Sequence, residues 1–225
     1  MQPSFTVLTV SRRTGWERAA SETLSRQTQQ GFEWIVIAES VTDVLLTDRQ
    51  AVYQAPKPTR QSNLNASLNA GLKRIDTDYV IFYQDFIDLP TDCFEKLLTL
   101  AAPDTFVTTA TVNPNGKHDG RYLGLDCPRP CKAEEWEANV AIAPMAVIRE
   151  LGGFDEEYDN GWSWDNVNLA ERAEMLDCKF IIDESNCPRL LPHDKSPIKE
   201  LNGEFHAQRM REIRAGERPL RLTYL

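Results

Sequence analysis

The opening of the chain is the feature that most limits its fold. Phe5-Thr6-Val7-Leu8-Thr9-Val10 is a short, β-branched apolar run bounded by polar residues, which reads as a buried strand. Residues 14–30 then place Trp16, Ala19, Ala20, Thr23 and Leu24 at helical spacing, and Gly31 closes the segment. Trp34-Ile35-Val36-Ile37-Ala38 is a second buried run. Two buried strands joined by a helix-length crossover predict a parallel sheet, because parallel neighbours cannot be joined by a hairpin.

The pattern continues downstream. A helix is predicted over 63–74, a strand over 78–83, a helix over 91–102 with Thr91 as its cap, and a strand over 106–112. Residues 41–62 carry no clear period, and 113–129 read as a loop rich in Gly, Pro, Asp and Asn. A strand and a short helix follow over 136–149, then Gly152-Gly153, a helix over 165–176 and a strand over 179–182. The fold class is α/β: a Rossmann-like mixed, mostly parallel sheet with helices on both faces. One domain is expected over 1–195, followed by a charged tail over 196–225 that forms a peripheral helix.

Charge and cysteine content exclude several function classes. Lys+Arg number 25 against 34 Asp+Glu, a net charge of -9, so general binding to DNA or RNA is disfavoured. No apolar run approaches the ~20 residues of a membrane span, and no secretory signal is read at the N-terminus. Five scattered cysteines fit reduced thiols in a cytoplasm. Cys127 and Cys131 have only His118 nearby, too few ligands for a structural zinc. The turn Ser11-Arg12-Arg13-Thr14-Gly15-Trp16 lacks the Gly-x-Gly-x-x-Gly of dinucleotide-binding oxidoreductases.

In an open parallel sheet, ligands bind at the carboxyl ends of the strands. There the sequence places Ser11 to Arg13, Glu39, and Asp85 with Asp88. Taken with Ser67-Leu68-Asn69-Ala70-Gly71, Gly152-Gly153-Phe154-Asp155-Glu156 and Trp162-Ser163-Trp164-Asp165-Asn166, these segments resemble the GT-A glycosyltransferases of the inverting family 2 kind. The resemblance covers residues 5–194 and implies the GT-A, nucleotide-diphospho-sugar transferase fold. It also implies transfer of a hexose from a UDP- or GDP-linked donor to a glycan or other hydroxyl acceptor, with inversion. It implies nucleotide-sugar contacts from Thr9, Ser11, Arg13, Glu39, Asn69, Asp85 and Trp164. A divalent cation, manganese or magnesium, is implied on Asp85 and His193.

The chain departs from the family at two places. The expected Asp-x-Asp reads Gln84-Asp85-Phe86, so at least one carboxylate is absent or displaced, with Asp88 as the substitute. The slot of the usual catalytic base holds Asn166, and an amide accepts no proton at neutral pH. Asp165 is therefore the expected base; its competing role is to cap the helix that follows. Trp162 and Trp164 either stack on a sugar or pack in the core, and Arg60 is a further candidate for the diphosphate. The alternative function is a catalytically inactive nucleotide-sugar or glycan-binding module on the same fold.

Overall fold

The computed structural model describes residues 3–13, 15–40, 49–192 and 201–225. Eight strands form one sheet: β1 (Phe5–Ser11), β2 (Glu33–Ala38), β3 (Gln50–Gln54), β4 (Tyr79–Tyr83), β6 (Thr105–Thr109), β7 (Pro128–Pro130), β8 (Val140–Pro144) and β9 (Lys179–Asp183). Their order is β3-β2-β1-β4-β8-β6-β9-β7. Strands β3, β2, β1 and β4 are mutually parallel, as are β6 and β9. β8 runs antiparallel between β4 and β6, and β7 is antiparallel at the edge. A separate two-stranded ribbon pairs β5 (Ile87–Asp88) with β10 (Arg189–Leu190).

Alternation along the strands divides the core between the two faces. Leu8, Ile35, Ile37, Val80 and Phe82 point to one side. There they meet α2 (Leu64–Leu72), α4 (Met145–Leu151) and α5 (Asp165–Glu174). Val7, Trp34, Val36, Ile81 and Tyr83 point to the other, against α1 (Trp16–Ser25) and α3 (Cys93–Leu100). Both faces being covered explains why these strands read as continuous apolar runs. Among the described residues no helix is long and apolar enough to cross a membrane.

The structure differs from the sequence expectations in three places, and the helix expected in the tail is present with a buried face. β3 fills part of the stretch with no clear period. Its middle is only half-buried and both its ends are glutamine, so no apolar run announced it. β7 is Pro-Arg-Pro, a sequence tolerated only at a sheet edge, where proline's missing N–H faces no partner. Asp92, not Thr91, precedes α3, and no side chain caps it. The charged tail carries α6 (Gly203–Arg214), whose inner face buries His206, Arg209, Met210 and Ile213.

Candidate active site

At the carboxyl ends of β1 and β4, a buried acid organises the local charge. Asp85, one residue past Gln84 at the end of β4, accepts the Ser11 hydroxyl on Oδ2 at 2.5 Å. The Arg13 guanidinium pairs with Oδ1 of the same carboxylate and lies 4.5 Å over the Phe86 ring. The Arg13 N–H donates to Ser11 Oγ at 3.3 Å. Arg12 turns the other way, donating to Ser62 Oγ at 2.7 Å and Asn63 Oδ1 at 3.0 Å, with Glu39 at 3.6 Å. Ser11, Arg13, Glu39 and Asp85 are thus brought to one end of the sheet.

A second acid stands at the start of α5. Ser163 and Trp164 both have positive φ, 71° and 72°, which is uncommon outside glycine and strains the backbone by order of 1–3 kcal/mol each. That turn delivers Asp165 as the first helical residue, only 8% exposed. Burial pushes its carboxyl up to about 6, and the charges of Asp159 and Glu137 act in the same direction. The N–H groups of Asp165 and Asn166 oppose the shift. The N-cap position is occupied by Trp164, so Asp165 is not the helix cap. Trp162 and Trp164 are both substantially exposed beside it, and Trp164 stacks on His206 with 4.9 Å between ring centroids.

Two sets of hydrogen bonds lie between these acids, and a charge in each acts on Asp165. Asp159 accepts the N–H groups of Asn65 and Ala66 at the start of α2, while its carbonyl accepts Ser62 N–H at 2.9 Å. Ser62 is also the partner of Arg12, and the Asp159 charge reaches Asp165. On the other side Gln84 Nε2 donates to Asn139 Oδ1 at 2.8 Å, and Asn139 Nδ2 donates to Glu137 at 2.7 Å. Glu137 in turn acts on Asp165. Sequence reasoning placed Arg12 at this strand end with Ser11 and Arg13 but missed Ser62, Asn63, Asp159, Glu137 and Asn139, none of which carried a signal.

Other expected contacts go elsewhere. Thr9 is fully buried and its hydroxyl accepts the Trp34 indole N–H at 3.0 Å, which withdraws it from any ligand. Asn69 is also buried; it bonds the backbone of Phe154 and the Glu156 carboxylate. Its role is to hold the Gly152–Glu156 loop on α2. Asp88 accepts Arg26 at 2.5 Å and Thr23 at 3.2 Å, facing α1 rather than Asp85. Arg60 is exposed and joins no described member of the cluster. His193 lies outside the described residues.

These placements bear on the expected divalent cation. Asp85 is a lone carboxylate whose side chain is 1% exposed, and both its oxygens already accept hydrogen bonds, one from a cation. Among the described residues no group of three His, Cys, Asp or Glu could hold a metal ion. Oxygen-rich sites suit magnesium or manganese, and a guanidinium paired with the carboxylate repels either. The described donor set does not fit a resident cation. A separate cleft of about 610 Å3 lies between α1 and the start of β2, lined by Leu24, Phe32, Trp34 and Arg49 among others. It is at the amino end of β2, away from Ser11 and Asp85.

Solved structures share this arrangement of elements. S. aureus TarS residues 1–349, in complex with UDP-GlcNAc, superposes with a TM-score of 0.68 at 14% identity, over 94% of this chain and 66% of that one. GalNAc-T7 with UDP, GalNAc and Mn2+ superposes with a TM-score of 0.62 at 10% identity, over 85% of this chain and 44% of that one. The chain has the GT-A fold. Within the GT-A fold, it spans between 37% and 66% of the length of the structures it matches. No family model and no curated protein matches the sequence.

Proposed function

We propose that this chain is a glycosyltransferase that moves a sugar from a nucleotide-diphosphate donor, UDP- or GDP-linked, to an acceptor hydroxyl with inversion. The observation that carries the reading is Asp165: a buried carboxylate with its pKa pushed up to about 6, aimed by a strained turn beside two exposed tryptophans. A general base works best when its pKa lies near the working pH, and strained, desolvated acids gather at such sites. In this reading the donor binds at the carboxyl ends of β1, β2 and β4, with Ser11, Arg13 and Glu39 facing the nucleotide. The UDP-GlcNAc bound to TarS and the UDP bound to GalNAc-T7 support a nucleotide-sugar as the donor class.

In this reading the acceptor oxygen attacks the anomeric carbon from the face opposite the diphosphate. Asp165 takes the hydroxyl proton as the new C–O bond forms. The old bond from the anomeric carbon breaks toward the diphosphate oxygen, which leaves with the electron pair, and the configuration inverts. Trp162 and Trp164 offer aromatic faces to the apolar C–H side of a sugar. Asn166, the amide in the usual base position, favours one second reading: a module that binds the nucleotide-sugar without turnover. A nucleotide-sugar hydrolysis assay separates the two, since only the transferase releases the diphosphate.

A further inference from the structure

What balances the charge of the donor's diphosphate is a separate question, and its answer rests on the transferase reading. We infer that Arg13, positioned by Asp85, supplies that positive charge, so that nucleotide diphosphates bind this cleft without a divalent cation.

The geometry around Arg13 is that of a prepared anion contact. Its guanidinium is held on one edge by the Asp85 carboxylate and on one face by the Phe86 ring. Asp85 is in turn fixed by the Ser11 hydroxyl at 2.5 Å. Two partners from the turn after β4, Asp85 and Phe86, therefore restrict a side chain that would otherwise lose considerable rotamer freedom on binding. The side chain remains about one third exposed, so it is not enclosed in the core. A planar guanidinium matches phosphate oxygens in pairs, where an ammonium acts as a point charge.

The same contacts work against a metal. The Asp85 side chain is almost wholly desolvated, and a buried carboxylate needs a compensating charge. Arg13 already provides it. For Asp85 to ligate a cation, Arg13 must leave, and one positive centre would replace another with loss of the Phe86 stack. Position 86 would carry the second carboxylate of an Asp-x-Asp pair; here it is a ring that supports the arginine. Asp88 is committed to Arg26 and Thr23 on α1. Arg12, bound by Ser62 and Asn63, braces the turn and leaves the diphosphate to Arg13.

The test is calorimetric titration of the full chain with UDP and with GDP, in excess chelator and in manganese, with uridine and guanosine as probes lacking the diphosphate. Wild-type protein binds its nucleotide diphosphate equally well in both buffers. Arg13→Gln loses about 10- to 100-fold of that affinity, as expected for one charge-assisted contact, and keeps its affinity for the nucleoside. Arg13→Lys falls between them, because it keeps the charge and loses the fork. Circular dichroism checks the folding of each variant. Nucleotide binding that vanishes in chelator and returns with manganese overturns the inference and leaves the transferase reading standing. The inference also falls if Arg13→Gln, or Arg13→Lys should the first not fold, binds as wild type does. Absence of any nucleotide or nucleoside binding in either buffer overturns the donor-cleft reading itself, and this inference with it.

Discussion

Asn69 closes twice on the backbone of Phe154, accepting its N–H on Oδ1 and donating Nδ2–H to its carbonyl, each at 2.9 Å. The side-chain amide acts as a peptide unit, tying the Gly152–Glu156 loop to α2 across 85 positions of sequence. Asn69→Ala strands two buried backbone groups, each worth roughly 1–3 kcal/mol when left unpaired. A loss of ~2–4 kcal/mol is expected in urea unfolding. Nucleotide affinity of the folded fraction stays at the wild-type level, because Asn69 serves the loop and not the donor.

Gly152 sets a second constraint on that loop. Its φ is +72°, and a Cβ there would stand 1.9 Å from the carbonyl oxygen of Leu222. Leu222 N–H is itself bonded to Leu151 O at 2.8 Å, and the buried Arg172 donates to Leu151 O and Gly153 O. Gly152→Ala therefore forces the terminal segment off the loop as well as straining the backbone. Hydrogen exchange at Leu222 should accelerate sharply, with a stability loss of about 2–4 kcal/mol. Unchanged protection at Leu222 would show that the segment does not depend on this contact.

The raised pKa of Asp165 has a consequence for stability. Between the ordinary aspartate value of 3.8 and about 6, the folded state holds a proton that the unfolded chain has released. Stability is therefore full below the lower value and declines as pH rises through about 6, by ~3 kcal/mol in all. Asp165→Asn stays neutral throughout and escapes that decline. The variant should be more stable than wild type at neutral pH, with the gap closing below about pH 4. Denaturant unfolding of both proteins at acid and neutral pH measures it; equal stability at neutral pH would refute the burial of this charge.

How much of this was legible beforehand depended on what each residue is used for. β1, β2 and β4 announced themselves because both of their faces are buried, so most of their positions are apolar. β3, β7 and the two-residue strands β5 and β10 did not, since edge and ribbon strands need little apolar surface. Helix α6 was expected in the charged tail, but its buried face was not, because that face includes His206 and Arg209, which pair with Glu171, Asp155 and Glu157. At the site, Ser11, Arg13 and Asp85 could be placed together because strand ends of adjacent β1 and β4 must meet. Thr9 and Asn69 were misplaced for one reason: a polar side chain that satisfies a buried partner has the same letter as one that awaits a ligand. Asp159 comes from a short 3-10 helix (Glu156–Asn160) and Glu137 and Asn139 from a loop, elements whose convergence no periodicity encodes.

The most direct test of the transferase proposal is turnover of UDP- and GDP-linked sugars by wild type, Asp165→Asn and Asn166→Ala, followed as released nucleotide diphosphate across the pH range. Wild-type turnover should rise with pH through about 6, as the Asp165 carboxyl releases its proton and becomes able to accept another. Asp165→Asn should lose about 10²–10⁴-fold in rate with donor affinity nearly constant, because the base faces the acceptor. Asn166→Ala should lose far less. A folded Asp165→Asn protein with full turnover would contradict the assignment of the base. Tight donor binding by the wild type with no turnover at any pH would contradict the transferase itself.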